Sequence, residues 1–296
     1  MKRCYLEMPG LKVGFHVSIA GGISNSVDNA RKLGCTAFQI FSRNPRGWAA
    51  KPLDPTDVKL FRDKLSSSEI GQDSVIVHMP YLPNLSGPPG EFYDKSARTI
   101  AEEMQRCDAL GIQNLVIHLG SHRGAGQGQG ITQLVKAIDG AVASADKLDS
   151  QNTVNILLEN NAGQKNAIGA NFEELRAILD KITSKRKVGV CLDTCHLFAS
   201  GYDVRSAGGV KSTLEKFDKI VGLRELRVIH LNDSKGELNS NLDRHQHIGL
   251  GHIGPAGISA FIRHNATRTL PFIMETPIDD ERGDEENMKA VARLIK

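Results

Sequence analysis

The chain carries eight short apolar runs, each continuous rather than alternating and enriched in β-branched or aromatic residues. They are KVGFHV (12–17), TAFQIF (36–41), SVIVHM (74–79), NLVIHL (114–119), VNILLE (154–159), VGVCLD (188–193), RVIHLN (227–232) and PFIMET (271–276). Such runs suit strands buried on both faces of a parallel sheet, whereas a sheet with one wet face would alternate. Between them the period lengthens to that of a helix. Ala97, Ile100, Met104 and Cys107 recur on one face, and Gly111 just beyond Leu110 is a stop signal. Leu134, Ile138, Ala141, Ala145 and Leu148 form a second face, and Asn171 with Glu174 makes a capping box ahead of Leu175, Ile178 and Ile182. Val210, Leu214, Phe217 and Val221 mark another helix, and the acidic segment 279–286 begins a last one carrying Met288, Val291 and Ile295. The stretch GAGQGQG (124–130) reads as a loop after the fourth strand and lacks the G-x-G-x-x-G spacing of a dinucleotide turn.

Eight strands alternating with helices over 296 residues give about 37 residues per unit. This predicts an α/β chain forming a single (β/α)8 TIM barrel, one domain over residues 1–296. A doubly wound open sheet has the same periodicity and remains the alternative. The hydrophobic share of 40% and charged share of 24% exclude a disordered chain, a collagen-like repeat and a membrane bundle. The net charge of +3 carries no footprint of a nucleic-acid partner. Cys4, Cys35, Cys107, Cys191 and Cys195 are odd in number and scattered, which argues against a disulfide framework. The start, MKRCYLEMPGLKV, lacks the apolar run of a signal peptide, and no stretch approaches the roughly 18 apolar residues of a membrane span. A reduced, cytoplasmic protein without membrane contact is expected.

The ends of the runs change the picture. His16, His78, His118, Glu159, Asp193, His230 and Glu275 close seven of the eight. One such residue is ordinarily a hydrogen-bonded core histidine or a carboxylate capping the next helix. Seven at the same end converge on the mouth where barrel active sites lie. Buried there unpaired they would be costly, and crowded carboxylates repel unless a cation sits among them. Asp193-Thr194-Cys195-His196 and Asp243-Arg244-His245 add further donors within reach. The ligand candidates are therefore His78, His118, Glu159, Asp193, His196, His230, Asp243, His245 and Glu275. Imidazole with carboxylate suits Zn²⁺, with Mn²⁺ or Fe²⁺ as competitors. Cys195 reads as a small buried hydrophobe. Nine donors exceed the needs of one tetrahedral ion, so two or three metals would share them, an arrangement suited to phosphoryl chemistry.

The segments ENNAGQ (159–164), VGVCLDTCHLFASGYD (188–203), HLNDSK (230–235) and DRHQHIGLGHIG (243–254), with GFHVSIAGG (14–22) and FSRNPRGW (41–48), resemble the endonuclease IV family of apurinic/apyrimidinic endonucleases. The likeness runs from about residue 12 to the C-terminus. It implies a trinuclear zinc site, with Mn²⁺ as a substitute. His78 and His118 would hold one zinc, which Glu159 bridges to a second completed by Asp193, His230 and Glu275. His196, Asp243 and His245 would hold the third. The implied reaction is hydrolysis of the phosphodiester 5′ to an abasic site in duplex DNA, leaving a 3′-hydroxyl and a 5′-deoxyribose phosphate, together with trimming of blocked 3′ ends. A hydroxide held at the metals would attack the phosphorus in line, with Glu159 as its orienting or basic group. Arg46 and Tyr81-Leu82 match positions that intrude on the base stack, where a missing base makes unstacking cheaper. The plainer readings are a solvated charge for Arg46 and a packed loop aromatic for Tyr81. Met79-Pro80 stand where some family members carry polar residues, and His16 and His122 fall near the site without a ligand role.

The implied partner is double-stranded DNA containing abasic sites, engaged by a monomer. Two rival readings have other consequences. A sugar isomerase or epimerase would use two metals, and the additional Asp193/His196 and Asp243/His245 pairs argue against it. A non-catalytic damage binder would not need an intact ligand set. Three zincs would add six positive charges to the +3 of the chain, all at one mouth.

Overall fold

Strands buried on both faces need a partner on each edge, and the eight runs supply one another. The computed structural model describes residues 10–148 and 152–296. In it the runs become β1 (Val13–Phe15), β2 (Phe38–Phe41), β3 (Val75–His78), β4 (Asn114–His118), β5 (Asn155–Glu159), β6 (Val188–Asp193), β7 (Leu226–His230) and β10 (Phe272–Met274). All pair in parallel, in the order β1-β10-β7-β6-β5-β4-β3-β2. A parallel bridge between His16 and Gln39, with the Val17 N–H donating to the Gln39 carbonyl at 2.8 Å, joins the two ends into a ring. Closure decides for the barrel over the open sheet. Two further short strands, β8 (Asp233–Ser234) and β9 (His245–Gln246), form an antiparallel pair in the loop after β7. No pattern in the sequence announces that pair.

Helices α1 (Asn25–Lys32), α2 (Pro55–Ser66), α3 (Glu91–Leu110), α4 (Gln127–Leu148), α5 (Phe172–Lys181), α6 (Thr194–Ala199), α7 (Ala207–Ile220), α8 (Gly254–Arg263) and α9 (Asp284–Leu294) alternate with the strands. The expected apolar faces of α3, α5 and α7 are the buried ones, and α3 ends at Gly111 with φ +74°. The Asn171 side chain accepts from the Glu174 N–H at 2.8 Å, while Glu174 accepts in return from the Gly169 N–H at 2.7 Å. None of the described helices is long and apolar enough to cross a membrane. Cys35, Cys107, Cys191 and Cys195 are buried free thiols, and Cys4 lies outside the described residues.

Two helix starts differ from expectation. Of the glycine-rich stretch 124–130, residues from Gln127 onward already belong to α4. His122 is the reason: its Nδ1 accepts from the backbone N–H groups of Gly124 and Gly126 at 3.2 and 3.1 Å and sets the turn that launches the helix. The last helix begins at Asp284, not at residue 279. Asp279 is drawn away by His247 at 2.9 Å, and the Gly283 N–H, capped by Glu286 at 3.1 Å, marks the true start.

The pleat positions the site. Ala37, Ile76, Val116, Leu157, Cys191, Val228 and Ile273 form a fully buried cluster apart from the main core. They are the inward-facing positions of seven strands. Two residues further along, on the same face, stand Gln39, His78, His118, Glu159, Asp193, His230 and Glu275. On β1 the equivalent floor position is Gly14, where a Cβ would lie 1.8 Å from the Ala37 carbonyl oxygen. A register shift between Val190 and Cys191 in the β6–β7 pairing sets Asp193 opposite His230. Such a bulge re-aims the strand beyond it. At the rim, Ser42 and Arg43 follow β2 and bond to Glu103 of α3. Glu103 Oε2 accepts from Ser42 Oγ at 2.6 Å and Glu103 Oε1 accepts from Arg43 Nε.

Candidate metal centre

Every predicted ligand lies at the C-terminal mouth, and they sort into three groups whose donor atoms lie within 4.8 Å of one another. The groups are His78, His118 and Glu159; Glu159, Asp193, His230 and Glu275; and His196, Asp243 and His245. Glu159 belongs to two of them. Its Oε2 lies 3.2 Å from the Nε2 atoms of both His78 and His118, and its Oε1 lies 3.0 Å from His230 Nδ1.

Local structure explains how a contiguous motif serves two groups. Asp193 ends β6 and is also the N-cap of α6, its Oδ1 accepting from the His196 N–H at 2.8 Å. The cap and the candidate ligand are thus the same residue, and the cap sets where His196 emerges. His245 arrives from the far end of the β7 loop, turned back by the β8–β9 pair.

The tautomers are fixed by acceptors that cannot donate. His78 Nδ1 faces the Met79 carbonyl at 2.7 Å, His196 Nδ1 the Asn160 carbonyl at 2.9 Å, and His245 Nδ1 the Glu275 carbonyl at 3.1 Å. Each of those nitrogens must carry the proton, so in a neutral ring Nε2 presents a lone pair to the cluster. His230 is reversed, with Nε2 on the Gln39 side-chain oxygen at 2.9 Å and Nδ1 facing inward. Lone pairs opposite carboxylate oxygens at about 3 Å repel unless a proton or a metal ion lies between them. The Nε2 atoms of His196 and His245 are buried with no hydrogen-bond partner. Asp243 Oδ1 lies 3.1 Å from the first and 3.6 Å from the second, off the line of a hydrogen bond. These orphaned donors fit a cation held by all three residues.

With no metal among them, the carboxylates favour the protonated rings of His118, His196 and His230. Burial pulls the His196 pKa down, but Asp193, Asp243 and Glu159 outweigh it and push it up to about 10. Burial likewise opposes ionisation of Glu159, yet His230 and His118 hold its carboxyl well below the usual range.

Residues of no predicted role complete the centre. Gln39, the inward residue of β2, donates from Nε2 to Glu275 Oε1 at 2.7 Å and lies 3.0 Å from His16 Nδ1. Asn232 donates to Asp193 Oδ2 at 2.7 Å and accepts from the Glu275 N–H at 2.8 Å. Asn160 accepts from the Asp193 N–H at 2.6 Å. Their sequence signals are a polar residue inside TAFQIF and asparagines just beyond the candidate ligands Glu159 and His230. His16 packs on Phe41 with ring centroids 4.2 Å apart and joins no donor group. Two other clusters fail the donor test. Cys195 Sγ donates to the Arg244 carbonyl at 3.6 Å, and burial pushes its thiol far up. His247 spends Nε2 on Asp279 and Nδ1 on Asn287, at 2.9 and 3.0 Å, which leaves no lone pair.

Arg46, Tyr81 and Leu82 stand at the rim. The Tyr81 N–H donates to the Pro45 carbonyl at 3.2 Å, which joins the loops after β2 and β3. The Tyr81 ring packs edge-on against Phe41 with centroids 5.0 Å apart and is still 56% exposed. It is packed and projecting at once. Leu82 lines a cavity of about 520 Å³ with Tyr81, His118, Glu159, His196 and Asp243.

Residues 27–296 match the model of a family described as xylose isomerase-like TIM barrel. A "Probable endonuclease 4" of Nitrosopumilus maritimus is 50% identical over 279 residues, covering 94% of this chain and 98% of that protein. A second of the same name, from Cenarchaeum symbiosum, is 51% identical over 284 residues, covering 96% and 99%. The crystal structure of endonuclease IV from Thermus thermophilus superposes with a TM-score of 0.81 at 34% identity, covering 96% of this chain and 98% of that one. A D-tagatose 3-epimerase-like protein shares the fold at a TM-score of 0.70 and only 17% identity, covering 96% of each chain.

Proposed function

The chain belongs to the endonuclease IV family, and on that premise we propose that it is a zinc-dependent DNA-repair hydrolase. It cuts the phosphodiester 5′ to an abasic site in duplex DNA, leaves a 3′-hydroxyl and a 5′-deoxyribose phosphate, and trims blocked 3′ ends. It works as a monomer in one barrel domain. The observation that carries the reading is the set of ring nitrogens aimed at carboxylates with their opposite nitrogens tied to acceptors.

Three zinc ions fit the three donor groups, and when bound they would polarise the phosphate, acidify a water and stabilise the leaving oxygen. The protein's own residues do the rest. Glu159 reaches two groups through its two oxygens and orients the attacking water between them. The cavity of about 520 Å³, lined by Glu159, His118, His196 and Asp243, has room for a sugar and its phosphate beside the candidate metal groups. Tyr81 and Leu82 at its rim, with Arg46 on the adjoining loop, would fill the gap in the stack when an abasic nucleotide leaves it. The low-identity epimerase likeness supports the fold alone, and the third group, His196, Asp243 and His245, favours the nuclease reading over a two-metal sugar enzyme.

The test is a nicking assay on a duplex with one abasic site, with chelator-stripped protein as control and zinc counted per chain. Incision 5′ to the lesion, lost on stripping and restored at three zincs per chain, is expected. A fully loaded protein that leaves the duplex intact would refute the reading.

A further inference from the structure

We propose that Gln39 is the positioning residue of the group formed by Glu159, Asp193, His230 and Glu275: it selects the ring nitrogen of His230 and the oxygen of Glu275 that face the metal. The inference rests on the metal reading above.

Three of the site histidines are oriented by backbone carbonyls at the mouth, from Met79, Asn160 and Glu275. His230 is not. It ends β7 fully buried, with Nε2 directed across the barrel, where the backbone carbonyls are committed to the sheet. An acceptor there has to come from a side chain. Gln39, fully buried on β2, provides it, with Oε1 2.9 Å from His230 Nε2.

The amide cannot be turned over. Its other end lies 2.7 Å from Glu275 Oε1, which as a carboxylate oxygen only accepts, and 3.0 Å from His16 Nδ1. A carbonyl in that place would face the Glu275 carboxylate oxygen, so the NH2 belongs there and the oxygen belongs on His230. The consequence is directional. His230 Nε2 carries the proton, and Nδ1 is left facing Glu159 Oε1 at 3.0 Å, Glu275 Oε2 at 3.3 Å and Asp193 Oδ2 at 3.9 Å. Glu275 has one oxygen occupied and offers the other. A glutamate at position 39 would also accept from His230, but it would set a further negative charge against Glu275. The amide is the group that can accept on one side and donate on the other.

The experiment uses Gln39→Leu, of similar bulk and without hydrogen bonds, and Gln39→Met as a second apolar variant should the first not fold. Each is loaded with zinc, the zinc affinities are resolved by competition with a chromophoric chelator, and the imidazole resonances are read by ¹⁵N NMR after histidine labelling. In wild type, a buried His230 with Nε2 protonated and Nδ1 metal-bound is expected, with a slowly exchanging Nε2–H. In the variants one zinc of three weakens by about 10–100-fold, the others keep their affinity, and the slow Nε2–H signal is lost. A general loosening of the fold would weaken all three together, which would overturn the assignment, as would three unchanged affinities with the Nε2–H signal intact. If wild type itself takes up no zinc at this group, the metal reading fails and the role of Gln39 falls with it.

Discussion

Replacing Glu159 by glutamine changes one atom of the side chain and almost none of its shape. That makes it the sharpest perturbation of the centre. In the structure the two carboxylate oxygens lie 3.0–3.2 Å from ring nitrogens of three histidines, His78, His118 and His230. The amide keeps the packing but removes a full negative charge and turns one oxygen into a donor aimed at lone pairs. A unit charge acting on another about 4 Å away at an effective dielectric of about 20 is worth about 4 kcal/mol. Expressed in the barrier, that is about three powers of ten in rate. Glu159→Gln is therefore expected to slow incision of an abasic duplex by about a thousandfold or more. Binding of the same duplex should stay within about threefold, because the rim contacts of Tyr81, Leu82 and Arg46 are untouched. The assay is single-turnover nicking of a fluorescently labelled duplex at saturating protein, with zinc determined on the same preparation. A variant that holds its zinc and cuts within tenfold of wild type would refute the role given to Glu159.

Three other outcomes are expected. Tyr81→Ala should weaken binding of abasic duplex by about 1–3 kcal/mol, the range of a lost stacking contact, with zinc content unchanged; fluorescence anisotropy reads the first and metal analysis the second, and an unaltered affinity would remove Tyr81 from the interface. Loading zinc into stripped protein at pH 7 should release protons, because the carboxylates hold the His196 pKa at about 10 in the metal-free chain and the ion must displace that proton. The release fades as the pH is raised through about 10, where the ring is already neutral; calorimetry in buffers of different ionisation enthalpy detects it, and a binding heat independent of buffer would contradict the scheme. Glu103→Ala should cost about 1.5–3 kcal/mol in urea unfolding, since it removes the buried carboxylate from Arg43, only 3% exposed, and leaves that guanidinium with the exposed Glu102 at 3.0 Å, and a loss below about 1 kcal/mol would show that Glu102 alone suffices.

The strands and the donor residues at their ends can be read from sequence because both follow one rule, a continuous apolar run ended by a polar residue where the pleat turns toward the axis. The rule fails where the polar residue is inside the run. Gln39 sits mid-run in TAFQIF, so it looks like an interruption of β2, although it occupies the level of the ligands on the other strands. Asp193 can be taken as a helix cap or as a candidate ligand, and the structure gives it the cap while leaving it in a candidate donor group. Irregular geometry is invisible for a different reason. The shift between Val190 and Cys191 and the β8–β9 pair depend on register across distant strands, and no local pattern encodes that. The glycines after position 126 look like loop because glycine disfavours helix, and the bonds from His122 that start α4 come from outside the helix.

The apolar layer of Ala37, Ile76, Val116, Leu157, Cys191, Val228 and Ile273 has none of its surface exposed, and this makes the barrel a well with a plugged bottom. Everything that enters or leaves must pass the rim. A polymer lying across that rim would be its own stopper: water would have to be inside before the polymer seats, and its ends would stay within reach of the donor groups until it lifts. Widening the rim would change what can enter, whereas opening the floor would let solvent in beneath the donor groups and leave the entrance where it was.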